Sequence, residues 1–250
     1  MPVIYFADQV HVPYGARPLE EVRAYAEGIT RYLLDYGSLI IVAACNTASA
    51  AGLHYLRGMY PDVHFVGMEP ALKPAAEKTS SGVVGVLATP ATFQGALYAS
   101  VVERFSGGIK LVQQTCPGLV SQIEKGELDT LETRRILEGA ILPMRSAGVD
   151  TIVLGCTHYP FVIPLIEQIA GPQVRVIDPA PAVARQVKCV ADITFTQSMD
   201  GYAHPTWVED VKFTRFKTSG NPHTFKKQLI SLLDMSAEVA RVEWKNGKLS

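Results

Sequence analysis

The sequence predicts an α/β protein built as two pseudo-symmetric domains with parallel-sheet cores. Three observations carry that reading. Short all-apolar runs alternate with amphipathic helical stretches, the rhythm of a parallel sheet covered on both faces. Two segments repeat each other: Gly37-Ser38-Leu39-Ile40-Ile41-Val42-Ala43-Ala44-Cys45-Asn46-Thr47 and Gly148-Val149-Asp150-Thr151-Ile152-Val153-Leu154-Gly155-Cys156-Thr157-His158, with a Gly-to-Cys spacing of 8 in both. The match continues downstream. Val63-His64-Phe65-Val66 begins 18 residues after Cys45 and Val174-Arg175-Val176-Ile177 begins 18 after Cys156, each followed by a Pro-Ala pair, Pro70-Ala71 and Pro181-Ala182.

Taken in order, Val3–Phe6 reads as a strand and Leu19–Tyr36 as a helix. Leu39–Ala43 is a buried strand and Ala48–Met59 a helix. Further strands are expected at 63–66, 83–87, 109–113, 151–154 and 174–177, with helices at about 93–105, 131–146 and 160–170. The segment from about 199 to 224 is more polar and reads as a tail, with a turn at Ser219-Gly220-Asn221-Pro222 before a last helix, 223–234. The expected division is a first domain of 1–68 plus 181–250 and a second of 69–180.

The repeat also exposes a gap. The second half opens with a strand (Val83–Leu87), a loop (Ala88-Thr89-Pro90-Ala91-Thr92) and a helix, before the strand at 109–113. In the first half the strand matching 109–113 is 3–6, and no counterpart of the opening unit precedes it.

Composition narrows the function classes. The chain has 250 residues, 48% of them hydrophobic and 19% charged, and a formal net charge of -1, enough to bury a sizeable core and with no basic block for nucleic acid or an acidic membrane. No apolar run approaches the roughly 20 residues that span a bilayer, and no signal-peptide pattern is visible. Four cysteines with no CxxC and no Cys/His cluster at zinc spacing make neither a disulfide framework nor a metal site. The expected setting is cytoplasmic, with reduced thiols.

Ligands of parallel sheets bind beyond the carboxyl ends of the strands, where helix N-termini point. Cys45 and Cys156 both fall there. A helix N-terminus stabilises an anion, so it can lower a thiol pKa or hold a carboxylate. Asn46, Thr47, Thr157 and His158 follow directly and supply short polar groups. A single free cysteine usually packs as a small hydrophobe; two at equivalent points of a repeat point to chemistry on two faces of one small molecule. One thiolate would take a proton from a carbon while the other thiol delivers one from the opposite side. A single nucleophilic cysteine with His158 as its base is the alternative, a Cys-His hydrolase or transferase.

These segments resemble the two signature motifs of bacterial glutamate racemases, in Ala44-Cys45-Asn46-Thr47-Ala48-Ser49 and Leu154-Gly155-Cys156-Thr157-His158-Tyr159-Pro160. The resemblance takes in Val12-Pro13-Tyr14-Gly15, Thr89-Pro90-Ala91-Thr92, Cys116-Pro117 and Phe216-Lys217-Thr218-Ser219-Gly220. It implies flavodoxin-like cores with the active site in the cleft between them, and no cofactor. It implies Cys45 and Cys156 as the acid/base pair assisted by His158, interconverting L- and D-glutamate for peptidoglycan. Pro13, Tyr14, Gly15, Asn46, Thr47, Thr89, Thr92 and Thr157 would bind the substrate, with Asp8 and Glu124 as possible supports. Glutamate is the expected partner, with neither nucleic acid nor membrane, and a homodimer is compatible with the reading. Cys116 is either a wall of the site or plain packing, and Cys189 is expected in the core.

The departure from the family pattern is at the start. Its members open with a strand and an Asp-Ser-Gly-Val-Gly-Gly loop, whose Asp supports the first cysteine, and no such motif occurs here. The expectation is a start assigned downstream of the real one, or else a shortened paralogue. A degenerate relative that binds an amino acid without turnover is the runner-up function.

Overall fold

The computed structural model describes residues 2–198 and 214–250. The second half of the chain forms a four-stranded parallel sheet in the order β5-β4-β6-β7, from β4 (Val83–Ala88), β5 (Lys110–Gln114), β6 (Thr151–Gly155) and β7 (Arg175–Ile177). Alternate side chains of its strands point to opposite faces. Val84, Val86 and Val153 pack under α3 (Leu72–Lys78) and α5 (Ala96–Phe105). Leu87, Ile152 and Leu154 pack under α7 (Leu131–Ser146) and α8 (Ile163–Ala170). This is why those strands are apolar without alternation: both faces are covered.

The first half is laid out alike but divided. β2 (Ile40–Ala43) pairs in parallel with β3 (His64–Gly67). β1 (Val3–Ala7) belongs to a separate parallel sheet, β1-β8-β9, with β8 (Thr214–Thr218) and β9 (Val239–Arg241). α1 (Leu19–Asp35) and α2 (Asn46–Met59) pack on each other and cover Ile41 and Phe65. On the opposite face α9 (Ala180–Ser198) lies against β2 and β3, and α10 (Pro222–Leu233) covers Phe216 through Phe225 and Leu229. The repeat extends to the backbone: Gly37 and Gly148, each just before the repeated strand, adopt φ of 80° and 82°. That left-handed conformation suits glycine and ends the preceding helix.

Most expected elements appear within a residue or two. Three expectations need correction. The 88–92 loop is mostly helical, because Thr89 caps a short α4 (Pro90–Gln94) and Pro90 sits at its first position. The polar segment read as a tail from 199 to 224 includes a central strand, β8, whose Phe216, Lys217 and Thr218 are buried; its residues 199–213 lie outside the described ones. Cys189 is exposed on α9 rather than in a core. The short hairpin Trp244–Lys245 with Lys248–Leu249 and strand β9 had no clear signal.

Candidate active site

Cys45 ends the segment after β2 and is the N-cap of α2, where its Sγ accepts the Ala48 N–H at 3.4 Å. Cys156 occupies the matching place after β6, but a 3-10 turn at Tyr159–Val162 intervenes before α8. Burial pushes the Cys156 thiol up to about 12, with Cys45 adding to the rise and the backbone N–H groups of His158 and Tyr159 opposing it. Burial likewise raises the Cys45 thiol, against the N–H groups of Ala48 and Thr47 and the Thr47 hydroxyl. Each sulfur therefore rests as a protonated acid, and forming a thiolate needs a new counter-charge.

Around Cys45 the polar groups converge. Asn46 is only 2% exposed, and both its Nδ2 and Oδ1 are buried without a protein partner. Leaving an amide in that condition costs about 1–3 kcal/mol per group, so such a side chain is suited to a ligand. Thr47 reaches across from α2 to the other half of the chain: its Oγ1 lies 2.9 Å from that of Thr89 and 3.3 Å from that of Thr92. Thr89 and Thr92 are themselves 2.9 Å apart, and all three are buried. Gly15 rests on the same threonine, where an added Cβ would stand 2.6 Å from Thr89 Cβ and Cγ2, so only glycine fits that approach. Tyr14 packs beside Cys45 against Val22, Ala48 and Ala51. Burial raises the Tyr14 phenol, and the Asp8 carboxylate adds to the rise. Thr157 is half-buried directly after Cys156, and Pro13, directly before Tyr14, is exposed.

Asp8 is buried. Its carboxylate accepts from Tyr14 Oη at 2.5 Å, Ser219 Oγ at 2.8 Å and Trp244 Nε1 at 2.8 Å, and His11 Nδ1 lies 2.9 Å away. Glu124, the last residue of α6 (Leu119–Glu124), has its Oε1 2.6 Å from His158 Nε2. Its Oε2 accepts from Gln228 Nε2 at 2.7 Å. Gln228 is in turn bonded by Gln9, which accepts from Thr218 Oγ1 at 2.9 Å. This chain of amides joins the β1-β8 sheet to the imidazole beside Cys156. Cys116 is buried in the same apolar cluster as Cys156, and burial pushes its thiol up to about 12.

Gln9, Gln228, Ser219 and Trp244 escape a reading of the sequence. Ser219 stands out only as part of Phe216-Lys217-Thr218-Ser219-Gly220, and the others lie far from the repeated segments with no spacing to mark them. No group of three or more His, Cys, Asp or Glu able to hold a metal occurs among the described residues, and no described helix is long and apolar enough to cross a membrane.

Residues 2–187 match the model of the Asp/Glu/hydantoin racemase family. A glutamate racemase of Roseiflexus sp. (strain RS-1) is 51% identical over 185 residues, 74% of this chain and 68% of that one. One from Ectopseudomonas mendocina (strain ymp) is 42% identical over 237 residues, 95% of this chain and 87% of that one. The crystal structure of Escherichia coli glutamate racemase, in complex with L-glutamate and the activator UDP-MurNAc-Ala, superposes with a TM-score of 0.77 at 25% identity, covering 96% of this chain and 88% of that one. With two equivalent thiols at the ends of matching strands, and relatives of this identity over most of its length, the chain belongs to the glutamate racemases of the Asp/Glu/hydantoin racemase family.

Proposed function

We propose that this chain interconverts L- and D-glutamate by moving one proton between Cys45 and Cys156 by way of the substrate, with no cofactor in the cycle. The observation that carries the reading is the placement of the two thiols at equivalent strand ends, close enough that Cys45 adds to the rise of the Cys156 thiol, with the unpartnered amide of Asn46 directly after Cys45. One thiolate removes the α-proton as the opposite thiol protonates the other face, leaving the two sulfurs with exchanged roles. The α-ammonium of the substrate is the counter-charge that helps a buried thiolate form. Asn46 and the hydroxyls of Thr47, Thr89, Thr92 and Thr157 bind substrate polar groups, with the Tyr14-Gly15 turn closing one side. His158, held by Glu124, serves Cys156. The complex of the E. coli relative with L-glutamate supports the substrate. We place the enzyme in the cytoplasm, supplying D-glutamate for peptidoglycan, and the site in the cleft between domains of 1–68 plus 181–250 and of 69–180.

One observation favours a second reading, an amino-acid-binding protein without turnover. The groups that act on the Cys45 thiol are backbone and hydroxyl donors of α2, whereas Cys156 is followed by the His158–Glu124 pair. Polarimetry on the dialysed chain with L-glutamate separates the two. The racemase reading requires the rotation to decay to zero without added pyridoxal phosphate, and to stay constant in Cys45→Ser and Cys156→Ser. Saturable glutamate binding with unchanged rotation in the parent chain establishes the binder instead.

A further inference from the structure

Glu124 closes α6 in the second half of the chain, and α10 meets it from the side that carries β1 and β8. Gln228 of α10 directs its side-chain amide nitrogen at this one residue. Its Nε2 donates to Glu124 Oε2 at 2.7 Å and to the Glu124 backbone carbonyl at 2.8 Å. The other carboxylate oxygen, Oε1, lies 2.6 Å from His158 Nε2. The Glu124 and His158 side chains are 30% and 24% exposed, so packing alone does not fix them. A glutamate that open has several rotamers to choose from, and the Gln228 amide selects the one that faces the imidazole.

The amides can be arranged in one sense only. Both groups that Gln228 meets on Glu124 are acceptors, so its nitrogen must face them. Gln228 Oε1 then faces Gln9, whose Nε2 donates to it. Gln9 Oε1 accepts from Thr218 Oγ1 at 2.9 Å, and Thr218 is fully buried in β8. Gly220 leaves room for this approach: an added Cβ there would stand 2.8 Å from Gln9 Cβ and 3.2 Å from its Oε1. The relay is thus anchored in a buried strand and ends on the carboxylate beside His158. The Cys45 sulfur takes its N–H from Ala48 of α2 instead.

We propose that Gln228 is a positioning residue for one of the two thiols: it holds Glu124 on His158 and thereby sets the imidazole that serves Cys156. The inference rests on the racemase reading given above. Its consequence is one-sided. Proton removal by Cys156 depends on an amide from the far side of the molecule, and proton removal by Cys45 does not. Gln9 orients the Gln228 amide and acts one step further out.

Elimination from β-chloroglutamate tests it, because that reaction needs one thiolate and not two. The thiolate takes the α-proton, chloride leaves Cβ, and the enamine formed is hydrolysed by water to α-ketoglutarate and ammonium. The two configurations at Cα present the proton to opposite thiols. The one that Cys45→Ser still turns over is the Cys156 substrate, and the one that Cys156→Ser still turns over is the Cys45 substrate. Gln228→Glu keeps the side-chain length and the acceptor toward Gln9 but removes the N–H donors; Gln228→Met keeps the length alone. Either change should lower kcat for the Cys156 substrate about tenfold with KM little changed, and leave the Cys45 substrate within about twofold, the scale expected for losing an orienting partner. Gln9→Ala should lower the Cys156 substrate alone, by less. Equal losses with both configurations in both Gln228 variants, or no loss with either, overturn the proposal, while racemisation of glutamate by the parent leaves the racemase reading standing. A parent that neither racemises glutamate nor eliminates from either configuration overturns both.

Discussion

Replacing Gly15 by alanine tests how the Tyr14 turn is tied to the threonine cluster. The new Cβ would lie 2.6 Å from Thr89 Cβ and Cγ2 and 3.2 Å from its Oγ1. Carbon atoms in favourable contact sit about 3.5–4.0 Å apart, so the turn must retreat by roughly 1 Å. Thr89 cannot give way easily, because its hydroxyl caps α4 and is bonded to Thr47 and Thr92. Overpacking of this kind costs about 1–3 kcal/mol, and a 1 Å misplacement of a binding group can cost about 10²-fold in rate. Urea unfolding of Gly15→Ala should therefore show a loss in that range, and glutamate racemisation should fall by one to two orders of magnitude, on the order set by such a misplacement. A double-mutant cycle locates the cause. In a Thr89→Gly background the added methyl has room, so the stability cost of Gly15→Ala should fall to a few tenths of a kcal/mol. A Gly15→Ala protein as stable and active as the parent refutes the reasoning, and so does a cost that persists undiminished in the Thr89→Gly background.

Further outcomes follow from the network. Asp8→Asn turns one acceptor oxygen into a donor facing a ring of donors; stability should drop by about 2–3 kcal/mol in urea unfolding, and KM for glutamate should rise as Tyr14 loosens. Glu124→Gln should slow racemisation and change its pH profile, whereas a purely structural Glu124 would leave the profile unmoved. Asp150 feels burial, which works against ionisation, yet Thr79 Oγ1 and the N–H groups of Ser81 and Ser80 hold it down at about 2. A depressed carboxyl stabilises the fold above its ordinary value of 3.8 and loses that contribution as pH falls to about 2. Melting curves should therefore show an acid-induced loss over that window, softened by solvent screening and absent in Asp150→Asn. The raised thiols act in the opposite range: Cys156 contributes stability below its ordinary value of 9.0 and loses it as pH climbs toward about 12. Cys156→Ala should flatten the alkaline limb of the stability curve by about one proton.

The parts legible in the sequence are those that physics writes locally. All-apolar β4 and β6 announce burial on both faces, and Gly37 and Gly148 mark equivalent helix ends. The repeat points to two thiols at equivalent strand ends, and they follow β2 and β6 in the structure. What stayed hidden depends on partners distant in sequence. β8 alternates charged and hydroxyl residues with Phe216, so it reads as polar. It is strand because β1 and β9 pair with it and because Tyr32 and Tyr36 receive the Lys217 ammonium. The environment of Asp8 depends on Trp244, 236 positions away, and that of Glu124 on Gln228, 104 away. Cys189 looked like core because its neighbours are apolar, yet α9 turns that stripe outward.

The central claim is that two different thiols serve the two faces of one carbon, and racemisation in D₂O followed by mass spectrometry and chiral separation tests it most directly. With L-glutamate as substrate and only the first few per cent converted, the account predicts that the D-glutamate formed carries one deuterium at Cα while the remaining L-glutamate carries none. The incoming atom comes from a solvent-exchanged thiol, and the departing proton is left on the other. Early D-glutamate that retains its proton, or L-glutamate that gains deuterium as fast as product appears, would mean one group serving both faces and would contradict the two-thiol account.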